Sequence, residues 1–181
     1  MKTTHLEAGR LAALAVIAAS VLTLLPTTPA AATDSSESCW YDVDTDEIGC
    51  FDASLDPHEQ IELATGAELI AVPTGSNGGR SSADSSTIAT VYLLATVWDS
   101  TSYAGQSMSY YTSNANICAG VAHGFPDLLS WKDRIESLQS YNGCVTWLYD
   151  DFGTLGLEYG PVSSSTNLGT FNNEARSMYI E

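Results

Sequence analysis

Residues 168–180 read Leu168-Gly169-Thr170-Phe171-Asn172-Asn173-Glu174-Ala175-Arg176-Ser177-Met178-Tyr179-Ile180, and residues 131–138 read Trp131-Lys132-Asp133-Arg134-Ile135-Glu136-Ser137-Leu138. Both follow one pattern: an aromatic, a polar pair, two variable residues, a polar residue, Ser, then an apolar residue. Two copies in about the last 95 residues make an internal repeat, in which each copy buries its apolar face against the other. Such a repeat points to a binding or structural protein rather than an enzyme.

The chain's start sets its expected compartment. Lys2 and Arg10 precede a nearly unbroken apolar run from Leu11 to Leu25, and Ala30-Ala31-Ala32 supplies small residues for cleavage. This is the form of a secretory signal peptide over 1–32, with an apolar run too short to span a bilayer comfortably. A secreted protein with no further membrane segment is expected. Beyond residue 32 only Arg80, Lys132, Arg134 and Arg176 are positive, and of the 22 acidic residues only Glu7 lies before it. Removing the leader therefore leaves a net charge near −17. Such a surface repels phosphate backbones, so no nucleic-acid partner is expected.

Four Cys follow the leader: Cys39, Cys50, Cys118 and Cys144. An even number in an exported chain suggests two disulfides, for which three pairings exist. Cys39–Cys50, closing a short loop, and Cys118–Cys144, within the repeat region, are favoured. No CxxC spacing supports a thiolate metal site, and oxidised pairs supply no catalytic thiolate.

Residues 33–72 read as a small module. Trp40 to Val43 and Ile48 to Phe51 flank a turn and form a hairpin that a Cys39–Cys50 bridge would pin. Asp56 suits an N-cap, Pro57 the first turn and Glu59 the capping-box position, so a helix is predicted from Pro57 to about Thr65, ended by Gly66. Two strands and a helix bury little, so this module is expected to dock on its neighbour. Residues 73–87, rich in Gly and Ser, read as a linker. Residues 88–181 carry the main core, with strands predicted at Val91–Trp98, Ser107–Tyr111, Cys144–Tyr149 and Ser177–Ile180. Turn signals every ten or so residues suggest an all-β sandwich.

In this region the chain resembles the βγ-crystallin superfamily, particularly its exported bacterial members. Each Greek-key motif of that family carries an aromatic, four residues, an aromatic, one residue, Gly, one residue, Ser. Trp98, Tyr103, Gly105 and Ser107 fit without a gap. In the second copy Tyr149 and Gly156 match, while Thr154 replaces the second aromatic and Glu158 the Ser. The resemblance implies a Greek-key sandwich of two motifs, about 91–140 and 141–181. Trp131, Phe171 and Ser177 would be structural positions of the repeat.

The same resemblance implies a calcium signature in each motif: Asn or Asp twice, two variable residues, Ser or Thr, then Ser. The candidate ligands are Asp133, Glu136 and Ser137 in the first copy, and Asn172 and Asn173 in the second. Both copies depart from the pattern. Lys132 puts a cation where an oxygen is wanted, Glu136 replaces a hydroxyl, and Arg176 replaces the other with a guanidinium. Calcium wants six to eight oxygens, and the family shares ligands between copies, so binding is expected to be weak or absent and no cofactor required. Arg134 and Arg176 would then pair with local carboxylates in place of the ion. Asp42, Asp44 and Asp46 alternate like an EF-hand loop, but Glu47 stands where that loop needs Gly and Ala53 where it needs Glu; a polar hairpin turn is the simpler reading.

No catalytic residues emerge. There is no GxSxG elbow. His58-Glu59-Gln60-Ile61-Glu62 lacks the second His of a zinc-protease helix. His123 reads as a solvated loop residue, and Asp150-Asp151 as a turn. Some exported βγ-crystallin-like proteins with two disulfides, of the metalloproteinase-inhibitor type, block extracellular proteases. The resemblance therefore implies a peptidase inhibitor, with 112–124, held by Cys118, as the candidate loop. The alternative is a calcium-binding or structural extracellular module, toxin-like or envelope-binding.

Overall fold

The computed structural model describes residues 36–76 and 89–181; the signal-peptide reading and most of the linker reading lie outside them. The strands are β1 Glu37–Asp42, β2 Glu47–Asp52, β3 Glu68–Ile70, β4 Thr90–Ser100, β5 Ala104–Thr112, β6 His123–Phe125, β7 Ser137–Ser140, β8 Thr146–Tyr149, β9 Glu158–Val162, β10 Ser164–Ser165 and β11 Ser177–Ile180, with one α-helix, α1 Pro57–Thr65. No described helix is long and apolar enough to cross a membrane.

Two sheets form, and their order shows how the repeat folds. The larger runs β10-β7-β4-β5-β1-β2, with β3 also on β4; the smaller runs β6-β11-β8-β9. The first motif is β4-β5-β6-β7 and the second β8-β9-β10-β11. Each motif places its third strand in the other's sheet: β10 on β7 and β6 on β11. This is an all-β Greek-key sandwich of two motifs, as the repeat implied. Its core holds Leu94, Val97 and Leu138 from the larger sheet and Leu148, Met178 and Ile180 from the smaller, all fully buried, with Trp131 and Phe171 of the repeat packed among them.

The run Val91–Trp98 is apolar almost throughout because β4 is covered on both faces. Leu94 and Val97 face the sandwich core; Val91 and Leu93 face a second cluster with Ile61, Ala67, Tyr111 and Tyr141. Ile61 is the buried residue of α1. The helix begins where predicted: the Asp56 carboxylate accepts from His58 N at 2.8 Å and Glu59 N at 3.2 Å, and Gly66 ends it at φ 63°.

The N-terminal hairpin joins the larger sheet. β1 runs parallel to β5 and β3 parallel to β4, so the described hairpin, helix and sandwich form one compact unit. Cys39 faces Cys50 across the hairpin, and the two are bonded. Pro73–Ser76, assigned to the linker by composition, is held by the sandwich instead: Thr74 N donates to Ser140 O at 2.9 Å, and Gly143 N donates to Thr74 Oγ1 at 3.1 Å. Gly and Ser content cannot reveal such long-range partners. Strand β8 begins at Thr146 rather than Cys144, which lies in the turn and bonds Cys118. His123 is not a free loop residue: it opens β6, and its Nε2 lies 3.0 Å from Ile117 O.

Candidate functional site

The two signature loops lie against each other and exchange backbone hydrogen bonds in matching pairs. Asp133 N donates to Ala175 O and Asn173 N to Ile135 O, each at 2.9 Å. Leu128 N donates to Arg176 O at 2.9 Å and Leu168 N to Glu136 O at 3.0 Å. Asp133 and Asn173 both adopt the left-handed backbone conformation, at φ 55° and 61°. Asn and Asp tolerate this conformation better than most residues, which accounts for their place at the second position of each loop.

This crossing brings the fifth position of each loop to the second position of the other. In one half Arg176 Nε donates to Asp133 Oδ1 at 3.1 Å. In the other, Asn173 Nδ2 donates to Glu136 Oε1 at 2.8 Å. The first half does not fit a calcium ion, because the guanidinium stands where a ligand oxygen is needed and already neutralises the carboxylate. The second half fits in part. Glu136 and Asn173 bring oxygens, and Oδ1 of Asn172, next to Asn173 in the chain, is buried without a hydrogen-bond partner. Lys132 is drawn away, 3.3 Å from Asp127 and over the Phe152 ring at 5.1 Å. Arg134 pairs with Asp99 at 3.1 Å, also meets the Gln106 side chain, and stacks 4.6 Å from the Trp131 ring.

Ser137 and Ser177 each hold a hairpin. Ser137 Oγ donates to Ser100 O at 2.6 Å and accepts from Tyr103 N at 3.1 Å. Ser177 Oγ donates to Asp151 O at 2.6 Å and accepts from Thr154 N at 2.9 Å. Both Ser are fully buried. The retained serine of the signature thus closes the folded hairpin of its own motif, a role that explains its presence in both copies without a metal. The hairpins match further. Asp99 Oδ1 accepts from Gln106 N at 2.8 Å, and Asp150 Oδ1 from Leu157 N at 2.6 Å. Asp99 and Asp150 follow the first aromatic of each motif, yet the family pattern as read above omitted them; the equal spacing from Trp98 and Tyr149 was the available signal. Trp98 packs on Tyr103 at 5.1 Å, and Ser107 is buried, its N–H donating to Ser38 Oγ at 3.0 Å.

The loop after β5 is the second candidate. Asp44 reaches it from the hairpin turn: its carboxylate accepts from Thr112 Oγ1 at 2.8 Å, Ser113 N at 2.7 Å and Ser113 Oγ at 2.8 Å. Burial pushes the Asp44 pKa up, but the Ser113 and Thr112 hydrogen bonds and the nearby His123 outweigh it, leaving the group below its ordinary value. Asp42 accepts from Asp44 N at 2.9 Å, and Asp46 accepts from Tyr41 Oη at 2.6 Å. The three alternating aspartates therefore serve a turn and a loop anchor. Cys118 bonds Cys144 of the following motif, and the buried Ile117 fixes the loop from within, while residues 113–116 stay exposed. The other residues weighed for chemistry are dispersed. His58 packs edge-on against Tyr141, Glu59 lies in the first turn of α1, and Asp150 holds its hairpin.

No protein-family model and no curated protein matches the sequence. Solved structures do. The N-terminal domain of Protein S matches at 17% identity with a TM-score of 0.40, over 49% of this chain and 94% of that one. A βγ-crystallin domain from Clostridium beijerinckii matches at 18% identity and 0.39, over 48% of this chain and 95% of its own. One from Flavobacterium johnsoniae matches at 22% and 0.38, over 49% and 93%.

Proposed function

We propose that this chain is an exported, non-enzymatic βγ-crystallin-type protein that blocks an extracellular protease with the loop anchored by Cys118. The observation that carries this reading is the way the loop is tied. Its tip, residues 113–116, is exposed, while Asp44, the Ile117 side chain and the Cys118–Cys144 bond hold it from three directions. An inhibitor must present a segment to a protease cleft without losing order on binding, and a preformed loop lowers that entropic cost. A tied loop also resists the rearrangement that cleavage requires.

The test is residual activity of secreted metallo-, serine and cysteine proteases incubated with the oxidised mature protein. Saturable inhibition of one class, abolished by Ala115→Arg at the exposed tip with unfolding unchanged, supports the reading. Absence of inhibition of every class, with the protein uncleaved, removes it.

A second reading has its own observation, the buried, unpartnered Oδ1 of Asn172, the chain neighbour of the Asn173 that bonds Glu136. On this reading the protein is a structural extracellular module with one weak calcium site in place of two. A rise in melting temperature at millimolar calcium that Glu136→Gln removes supports it; an unchanged melting temperature rejects it.

A further inference from the structure

A cleft of about 430 Å³ opens where the β1–β2 hairpin faces residues 124–130. The hairpin lies outside both repeats, so one wall of this cleft comes from neither the signature loops nor the Cys118 loop. Its aromatic wall is a cluster of three rings: Tyr110 lies 4.7 Å from Phe125, Tyr41 5.5 Å from Phe125, and Tyr41 5.7 Å from Tyr110. The parallel pairing of β1 with β5 sets Tyr41 beside Tyr110, and β6, a strand of the same motif as β5 that lies in the smaller sheet, brings Phe125 to them.

The charged groups that line this wall are acidic, although Asp127 is already paired with Lys132 at 3.3 Å. Asp46 and Asp127 line the cleft, and no Lys, Arg or His lines it. Tyr41 already donates to Asp46. Tyr110 is only 3% exposed, lines the cleft, and shows no hydrogen bond from its hydroxyl among the described residues. Burial and the neighbouring Tyr41 hold that hydroxyl's pKa well above its ordinary value, so it stays a neutral donor and acceptor. The hydroxyl itself reaches solvent in the cleft, where a ligand replaces water as its partner.

We propose that this cleft binds a small organic cation, whose apolar body lies on the Tyr41, Tyr110 and Phe125 rings and whose ammonium group is met by Asp46 and the Tyr110 hydroxyl. Ring faces carry negative quadrupole charge and attract cations, most strongly where water is excluded. The net charge of −16 gathers cations at the surface before they enter. The volume lies within the range of about 300–1,000 Å³ typical of small-molecule sites. Neither protease inhibition nor calcium binding is required for this site to work.

The test titrates the full mature chain, disulfides intact, with phenethylammonium, followed by calorimetry and by the tyrosine and phenylalanine ring signals in proton NMR. The neutral phenethyl alcohol and the anionic phenylpropionate share its ring and reach. Saturable binding of the ammonium is expected, with the alcohol weaker by about fivefold or more, as loss of a desolvated cation–π contact implies. Phenylpropionate should not bind. Asp46→Asn should bring the ammonium down to the affinity of the alcohol. Tyr110→Phe keeps the ring and the packing and should weaken the ammonium by about threefold or more, as loss of one hydrogen bond implies. Glu174→Gln, which removes a charge from the second signature loop, should leave the affinity unchanged. Lack of saturable ammonium binding, equal binding of the alcohol, or an unchanged affinity in Asp46→Asn would overturn the proposal.

Discussion

Arg176 Nε lies 3.1 Å from Asp133 Oδ1, joining the fifth position of one signature loop to the second position of the other across 43 residues. The mirrored pair, Glu136 and Asn173, carries no cation. The two halves of one symmetric arrangement have thus been resolved by different chemistry. A guanidinium–carboxylate pair closes the first, and an amide–carboxylate hydrogen bond spans the second.

This asymmetry predicts what happens when the guanidinium is removed. The two side chains are 43% and 47% exposed, so the ion pair itself contributes at most about 1 kcal/mol. Arg176→Thr should cost no more than that in the absence of metal. In millimolar calcium the variant should gain melting temperature beyond any gain of the parent, because a hydroxyl oxygen replaces a repelling charge beside Asp133. Identical calcium responses of parent and variant in thermal unfolding would contradict the substitution of ion by arginine.

The hydroxyls of Ser137 and Ser177 each serve as donor and acceptor inside a hairpin, fully buried. Replacing either by Ala leaves a part-buried backbone N–H, of Tyr103 or of Thr154, and a backbone carbonyl, of Ser100 or of Asp151, without their partner, and should cost about 1–3 kcal/mol. Urea unfolding of the two single variants measures this. Losses below about 0.5 kcal/mol, the scale of an ordinary surface change, would deny the hairpin role.

Gly105 and Gly156 sit at φ 82° and 85°, and a Cβ on either would collide with the carboxylate of Asp99 or Asp150. Those carboxylates hold the hairpins, so the glycines permit a close approach as well as an unusual backbone. Ala at either position should cost more than the roughly 1–2 kcal/mol of the left-handed conformation alone. Gly124→Ala is the control: that glycine has open space around it, and the change should stay within about 0.5 kcal/mol. Equal effects at Gly105 and Gly124 in thermal unfolding would reject this account.

Asp44 provides the pH dependence. Its pKa is held below the ordinary 3.8, so its contribution to stability is fully present above that value. It is lost as pH falls through the lower folded-state value, where the carboxylate protonates and releases Ser113 and Thr112. Parent protein should therefore exceed Asp44→Asn in stability at neutral pH, and the difference should shrink at the acid end. A difference that persists well below 3.8 would show that the charge is not what anchors the loop.

Several features were legible because their causes are local. Asp56, Pro57 and Gly66 each act within a turn of the helix they bound, and that helix lies where they place it. Trp98, Tyr103 and Gly105 form one hairpin within a few residues of each other. The short strands β6, β9 and β10 were not legible. Their periodicity is brief, Gly160 and Pro161 interrupt one of them, and each exists because a partner strand elsewhere supplies its hydrogen bonds. His123 was misjudged for the same reason. Its small-residue neighbours suggest a free loop, while its strand comes from pairing with β11.

The amino-acid order by itself determined the repeat, its folded hairpins, the helix ends and the residues that could not be calcium ligands, since a lysine or arginine carries its charge in any fold. The tertiary structure decided which groups meet: the exchange of third strands between sheets, the parallel docking of β1 on β5, the pairing of Arg176 with Asp133, and the cleft walled by Tyr41, Tyr110 and Phe125. Those meetings join residues far apart in the chain, and the same local patterns are compatible with many such pairings. Only burying both sheet faces in one core selects among them.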